Sequence, residues 1–125
     1  MLKLKNRKPA ITGLHVLGEI YTKETKKLNS PKLVKKYISQ IIRKFELHEL
    51  GSFYYKFPTG SGFTGLVSLV ESHIAIHTWP ELHYLTLDVY LCNYSKDNSK
   101  ACKGVFEEIS CLFNPVKIKK TIIIR

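Results

Sequence analysis

The sequence predicts an α+β protein, a two-layer sandwich in which an antiparallel sheet is covered on one face by two helices. Two stretches repeat apolar residues at helical spacing, and six others read as strands. The order is strand, helix, four strands, helix, strand, the pattern expected when helices segregate to one face of an antiparallel sheet.

The first strand is read at residues 12–21. The first helix opens at Ser30-Pro31, an N-cap followed by proline at the first helical position. Leu33, Val34, Tyr37, Ile38, Ile41, Ile42 and Phe45 then recur on one face with lysines between them, and Gly51 is the expected stop. Strands follow at 52–57, 64–71, 73–79 and 84–92. On the last of these, Leu85, Leu87, Val89 and Leu91 share the face expected to meet the helices, and Tyr84, Thr86, Asp88, Tyr90 and Cys92 share the other. Thr64, Ser68 and Ser72 are read on one face, with Val67 and Leu69 on the opposite one. The polar face reads either as a solvated surface or as a cleft closed by a second protomer. The second helix starts at Asp97 or Asn98, carries Ala101, Val105, Ile109, Leu112 and Phe113 as its stripe, and ends at Asn114-Pro115. A strand at 116–124 closes the chain. No repeat, low-complexity segment or linker interrupts it, so 1–125 reads as one domain.

The 44% hydrophobic content suffices for a core, but a domain of 125 residues leaves apolar surface uncovered, which favours pairing with a second copy. No run of about 18 apolar residues offers a membrane span. The basic opening MLKLKNRKPA lacks the apolar stretch of a secretory signal. Cys92, Cys102 and Cys111 are an odd count without a CxxC pair, which argues against a disulfide framework and a zinc knuckle and fits a reducing cytoplasm. The net charge of +10 invites a nucleic-acid reading, but it is uneven: residues 1–50 carry +8, residues 51–95 carry −2 and residues 96–125 carry +4. The basic ends read as a lysine-rich solvated surface, and no nucleic-acid-binding signature accompanies them.

The acidic middle holds the densest reactive segment, Glu71 to Glu81 (ESHIAIHTWPE). His73, His77 and Glu81 are spaced by four and would share a helical face as metal ligands. Ile74 and Ile76 favour a strand instead, and Pro80 breaks any helix. On a strand the two histidines stand about 13 Å apart, too far for one ion. No nucleophile-elbow pattern supports a Ser–His–Asp hydrolase.

The block resembles the processing site of S-adenosylmethionine decarboxylase of the small prokaryotic type, a pyruvoyl-dependent family. Gly13 and His15 in the first strand, Phe57-Pro58 before a glycine-containing turn, and Cys92 after Asp88 extend the match over most of the chain. The resemblance implies autocatalytic cleavage between Glu71 and Ser72, giving a beta chain of residues 1–71 and an alpha chain of residues 72–125. Ser72 would become the pyruvoyl group that holds the substrate as a Schiff base, with no metal and no pyridoxal phosphate. His77 matches the base of processing, Thr64 stands where a serine usually assists it, and Cys92 matches the proton donor. Glu81 matches the acid that holds ribose hydroxyls, and Phe57 the ring that stacks on adenine. Cys102 and Cys111 are read only as small buried hydrophobes.

The implied activity is decarboxylation of S-adenosylmethionine to the aminopropyl donor for spermidine synthesis, by a cytoplasmic homodimer with four αββα layers. Asn93 replaces a usual glycine after Cys92 and Leu91 a usual threonine before it. These departures border the pocket, so a pyruvoyl-dependent arginine or ornithine decarboxylase is the alternative enzyme. A non-catalytic basic binding protein is the third reading.

Overall fold

The computed structural model describes residues 12–94 and 96–125. The reading of the basic opening segment falls outside the described residues. The elements are β1 (Gly13–Thr22), a one-turn α1 (Thr25–Leu28), α2 (Pro31–Lys44), β2 (Glu49–Lys56), β3 (Phe63–Leu69), β4 (Ser72–Trp79), β5 (Tyr84–Cys92), α3 (Ser99–Cys111) and β6 (Pro115–Ile124). A 3-10 turn, Pro80–Leu82, joins β4 to β5. The six strands form one antiparallel sheet in the order β2-β3-β4-β5-β1-β6. The expected α+β sandwich is therefore present, with α1 as an addition too short to announce itself in a periodicity.

Helix α2 begins where its cap requires: Ser30 Oγ accepts the Leu33 N–H at 3.3 Å, and Pro31 supplies a preset φ. It ends at Lys44, well before Gly51. Glu46 takes the left-handed conformation, φ 57°, that a glycine stop usually supplies, and Gly51 lies inside β2. Asn114, also left-handed at φ 46°, turns the chain from α3 into β6 as the Asn-Pro pair predicts.

Val34, Ile38, Ile41 and Ile42 of α2 bury against the sheet beside Val67, Leu69, Ile74 and Ile76. Cys102, Val105, Phe106 and Ile109 of α3 cover Leu14, Val16, Leu87 and Val89. Each large side chain so buried contributes about 1.5–3 kcal/mol. Close approach is needed at Gly18, where a Cβ would lie 2.4 Å from Phe106 Cζ, so a side chain there would have to displace the buried Phe106 ring. Thr78, buried in the core, is satisfied: its hydroxyl donates to Leu28 O at 2.7 Å and accepts the Phe63 N–H at 2.9 Å. Cys102 fits its assigned role, since burial pushes its thiol pKa up. Cys111 does not, because the last residue of α3 is exposed.

Among the described residues, no helix covers the opposite sheet face. It carries Phe53, Tyr55 and Leu66 as exposed apolar residues on the β2–β3 side. On the β5–β1–β6 side it carries Asp88, Thr86, Glu19 and Lys119 around a shallow cavity of about 430 Å³.

Candidate active site

The two-residue turn Val70-Glu71 joins β3 to β4, with Leu69 and Ser72 as the last ladder pair. Glu71 has φ 62°, a left-handed conformation that costs an L-residue about 1–2 kcal/mol. The strain sits on the residue whose carbonyl is bonded to the Ser72 nitrogen. The Val70 N–H donates to His48 O at 3.2 Å, which ties the turn to the start of β2.

The Ser72 hydroxyl is held from across the ladder: its Oγ accepts the backbone N–H of Cys92 at 2.9 Å. Cys92 is itself buried, 8% exposed, at the end of β5. Glu71 and Cys92 line a cavity of about 450 Å³ together with Glu46, His48, Tyr94 and Lys96. The expected cleavage site and the expected proton donor therefore open on one space of ligand-pocket size.

Ser72 does not lie on the face read from the sequence. β3 and β4 pair Thr64 with His77 and Leu69 with Ser72, so residues of opposite parity share a face across the turn. Thr64, Ser68, His73 and His77 point to the open face, whereas Ser72 aligns with Leu69, Ile74 and Ile76. An unbroken alternation carried through residue 72 overlooked the turn.

Thr64 and His77 form a second pair, with Thr64 Oγ1 3.0 Å from His77 Nδ1. The hydroxyl thus holds the imidazole ring in place. The pair is remote from Ser72. His77 is five residue steps along β4 from Ser72, about 16 Å at about 3.3 Å per residue. Glu81 sits beyond His77 in the 3-10 turn, where its Oε1 accepts from Ser61 Oγ at 3.2 Å. Phe57 begins the loop that carries Ser61: its N–H donates to Gly62 O at 3.2 Å, and its ring meets Tyr55 edge-on at 5.7 Å.

The expected residues thus fall into two groups. Glu71, Ser72 and Cys92 gather at one end of β4. Thr64, His77, Phe57 and Glu81 gather toward the other.

Further side chains converge on the open face. His15 of β1, His73 of β4 and Tyr90 of β5 form a triangle, with ring centroids 5.5–6.1 Å apart. The Arg125 guanidinium lies over the Tyr90 ring at 4.9 Å and 3.2 Å from His15 Nδ1. Among the described residues, His15 Nε2 is buried without a partner. Burial lowers the His15 pKa; Asp88 opposes this, and Arg125 and His73 add to it. The sequence marks His15 and His73 separately but not their meeting, because the cluster is assembled from three strands and Arg125. Among the described residues, no three His, Cys, Asp or Glu side chains gather as metal ligands. No helix among them is long and apolar enough to cross a membrane.

A family model described as S-adenosylmethionine decarboxylase matches residues 14–122. The S-adenosylmethionine decarboxylase proenzyme of Aquifex aeolicus is 36% identical over 110 residues, 88% of this chain and 78% of that protein. The proenzyme of Archaeoglobus fulgidus is 34% identical over 98 residues, 78% of this chain and 87% of its own length. The crystal structure of adenosylmethionine decarboxylase from Aquifex aeolicus matches the fold with a TM-score of 0.81 at 30% identity, covering 92% of this chain and 91% of that one.

Proposed function

The chain belongs to the S-adenosylmethionine decarboxylase family, and from that premise we propose that it cuts itself between Glu71 and Ser72 and then decarboxylates S-adenosylmethionine. The observation that carries this reading is the arrangement at the β3–β4 turn. A strained Glu71 precedes a serine whose hydroxyl is held by Cys92, and Glu71 and Cys92 line the same cavity.

In the first step Ser72 Oγ attacks the Glu71 carbonyl carbon. The carbon–nitrogen bond breaks, the Ser72 nitrogen takes a proton, and the amide becomes an ester. Leaving the left-handed conformation at Glu71 favours that exchange. In the second step a base removes the Ser72 Cα proton, the Cβ–Oγ bond breaks, and Glu71 departs as a carboxylate. The enamine left on residue 72 takes up water and releases ammonia, and residue 72 becomes a pyruvoyl group. His77, its ring fixed by Thr64, is the base in this reading.

The residues fit such a group. The new end of residues 72–125 would open beside the cavity that Cys92 lines. The pyruvoyl group supplies a ketone for the substrate amine and a sink for the electrons left behind by carbon dioxide. Cys92 then returns a proton to the substrate carbon. Glu81 accepts hydrogen bonds from the ribose hydroxyls, and Phe57 offers its ring to adenine. The acidic middle of the sequence suits a sulfonium substrate. The product is the aminopropyl donor for spermidine synthesis.

His77 lies about 16 Å from Ser72 of the same chain, and this supports a homodimer. A twofold axis running across the strands, between two open sheet faces, lays β4 antiparallel over its copy. The Thr64–His77 end of one subunit then lies over the β3–β4 turn of the other, and reaches the Glu71–Ser72 bond around the strand end because Ser72 itself aligns with the helix side; two equivalent sites result. The same contact covers Phe53, Tyr55 and Leu66 and gives four αββα layers.

Mass spectrometry of the purified chain tests the reading together with a substrate panel. Two chains are expected, residues 1–71 and a pyruvoyl-blocked chain of residues 72–125. Ser72→Ala should remain whole and inactive. Carbon dioxide should come from S-adenosylmethionine and not from arginine or ornithine. A Ser72→Ala protein that still yields two chains would falsify the processing assignment.

A further inference from the structure

At the end of β5 two asparagines are devoted to one residue. Asn98 occupies the N-cap position of α3, yet its side chain makes no capping bond. Its Nδ2 donates instead to the Cys92 carbonyl at 2.9 Å. The Ser99 N–H is left to Asp97 Oδ1, at 2.9 Å. Asn98 is held in place in turn, because its own N–H donates to Asn93 Oδ1 at 2.7 Å, and the Asn93 N–H donates to Thr12 O at 2.7 Å. A side chain that normally stabilises the helix it precedes has been turned toward Cys92, the proton donor of the proposed function.

Both peptides flanking Cys92 are thereby tied. The one before it donates to Ser72 Oγ, and the one after it accepts from Asn98. Fixing both fixes the Cα of Cys92 and the direction in which its thiol leaves the backbone. The two ties differ in lifetime. In the processing chemistry proposed above, Ser72 Oγ departs with Glu71, so the first tie is lost when the chain is cut.

We propose that Asn98 is a positioning residue, which keeps the Cys92 thiol aimed at the substrate carbon once the Ser72 hydroxyl has been consumed. Asn93 supports it, and so acquires a use at a position where the family resemblance leads one to expect glycine. The inference rests on the roles given to Ser72 and Cys92. It makes Asn98 matter more for turnover than for processing, since the uncut chain still has the Ser72 tie.

Asn98→Ser separates this from a structural role, because serine caps a helix as well as asparagine but cannot reach the Cys92 carbonyl six residues back. Asn98→Asp serves as a second variant, retaining a capping oxygen while losing the donor. For both, complete cutting is expected, with a melting temperature no lower than that of the unaltered protein. Expected too are a KM within about twofold and a kcat about tenfold lower, the scale of one hydrogen bond. Iodoacetamide should also label Cys92 faster, measured by peptide mass against exposed Cys111. Unchanged kcat in a well-folded Asn98→Ser, or a kcat that falls only in step with melting temperature in both variants, would overturn the assignment. Failure of the unaltered chain to cut itself or to release carbon dioxide would sink the parent reading instead.

Discussion

The two ends of β4 are built on different principles. At the Ser72 end the contacts that matter are backbone contacts: a left-handed Glu71, a Val70 N–H tied to His48, and a Cys92 N–H on the serine hydroxyl. At the other end they are side-chain contacts on an open surface, Thr64 with His77 and Ser61 with Glu81. The first end holds a nucleophile against a strained bond. The second holds the imidazole and the carboxylate that the proposed reading assigns to the other subunit's site. Backbone ties survive most substitutions at the residues that make them, whereas side-chain pairs can be deleted one atom group at a time, so the two ends should respond differently to mutation.

The largest effect should come from separating the ends genetically. His77→Ala alone is expected to accumulate the Glu71–Ser72 ester, which hydroxylamine cleaves, and to form almost no pyruvoyl end. Co-expressed with Ser72→Ala, its own chains should be cut in mixed dimers, because Ser72→Ala still carries His77. If the mixture shows no more pyruvoyl ends than His77→Ala by itself, the two ends do not meet across subunits.

Next in size is Cys92→Ala. The bond to Ser72 comes from the backbone N–H and remains, so cutting should proceed. Turnover should fall on the order of 100-fold or more, as when a positioned acid is removed. A fully cut Cys92→Ala with normal turnover would move the proton-donor role elsewhere.

Glu71→Gly addresses the strain. Glycine adopts φ 62° without penalty, so cutting should slow by about threefold to tenfold. In an uncut Ser72→Ala background the same change should raise the melting temperature. Equal cutting rates with glutamate and glycine would show that the strain contributes nothing to the acyl shift.

The smallest effect concerns His15, away from both ends. Its folded pKa is lowered by burial, so below its ordinary value of 6.5 the unfolded chain binds the proton that the folded one resists. Stability should therefore be fully present above that value and decline as pH falls from about 6.5 toward the lower folded pKa. Melting between about pH 7.5 and about pH 5.5 should show the loss, and His15→Phe should show less of it. Identical pH dependence in the two proteins would assign it to other groups.

The sheet and both long helices were legible in the sequence because each obeys a local rule. Strict alternation identifies β5, and Ser30-Pro31 with a lysine-separated stripe identifies α2. The failures come from residues that break such rules. Glu46 takes a conformation that glycine would advertise, so α2 stops unannounced. The short turn at Val70-Glu71 exchanges the faces of the two strands it joins, so Ser72 was assigned to the wrong side. The proposed site residues come from one motif and a resemblance. Their division between two ends of a strand was not legible, because spacing along a sequence does not give distance in a sheet. Asn98 carried no signal at all, since asparagine before a helix reads as an ordinary cap.

The strand order has a final consequence for how the protein comes to exist. A cut after Glu71 would leave β1, β2 and β3 on one chain and β4, β5 and β6 on the other. In the sheet these interleave, with β1 seated between β5 and β6. The products are thus gripped on both sides and have no easy route apart. The same threading makes reassembly a second-order reaction, dependent on the concentration of two partial sheets with unpaired edges. The intact precursor folds as a first-order process, so the order of events matters: fold first, sever afterwards.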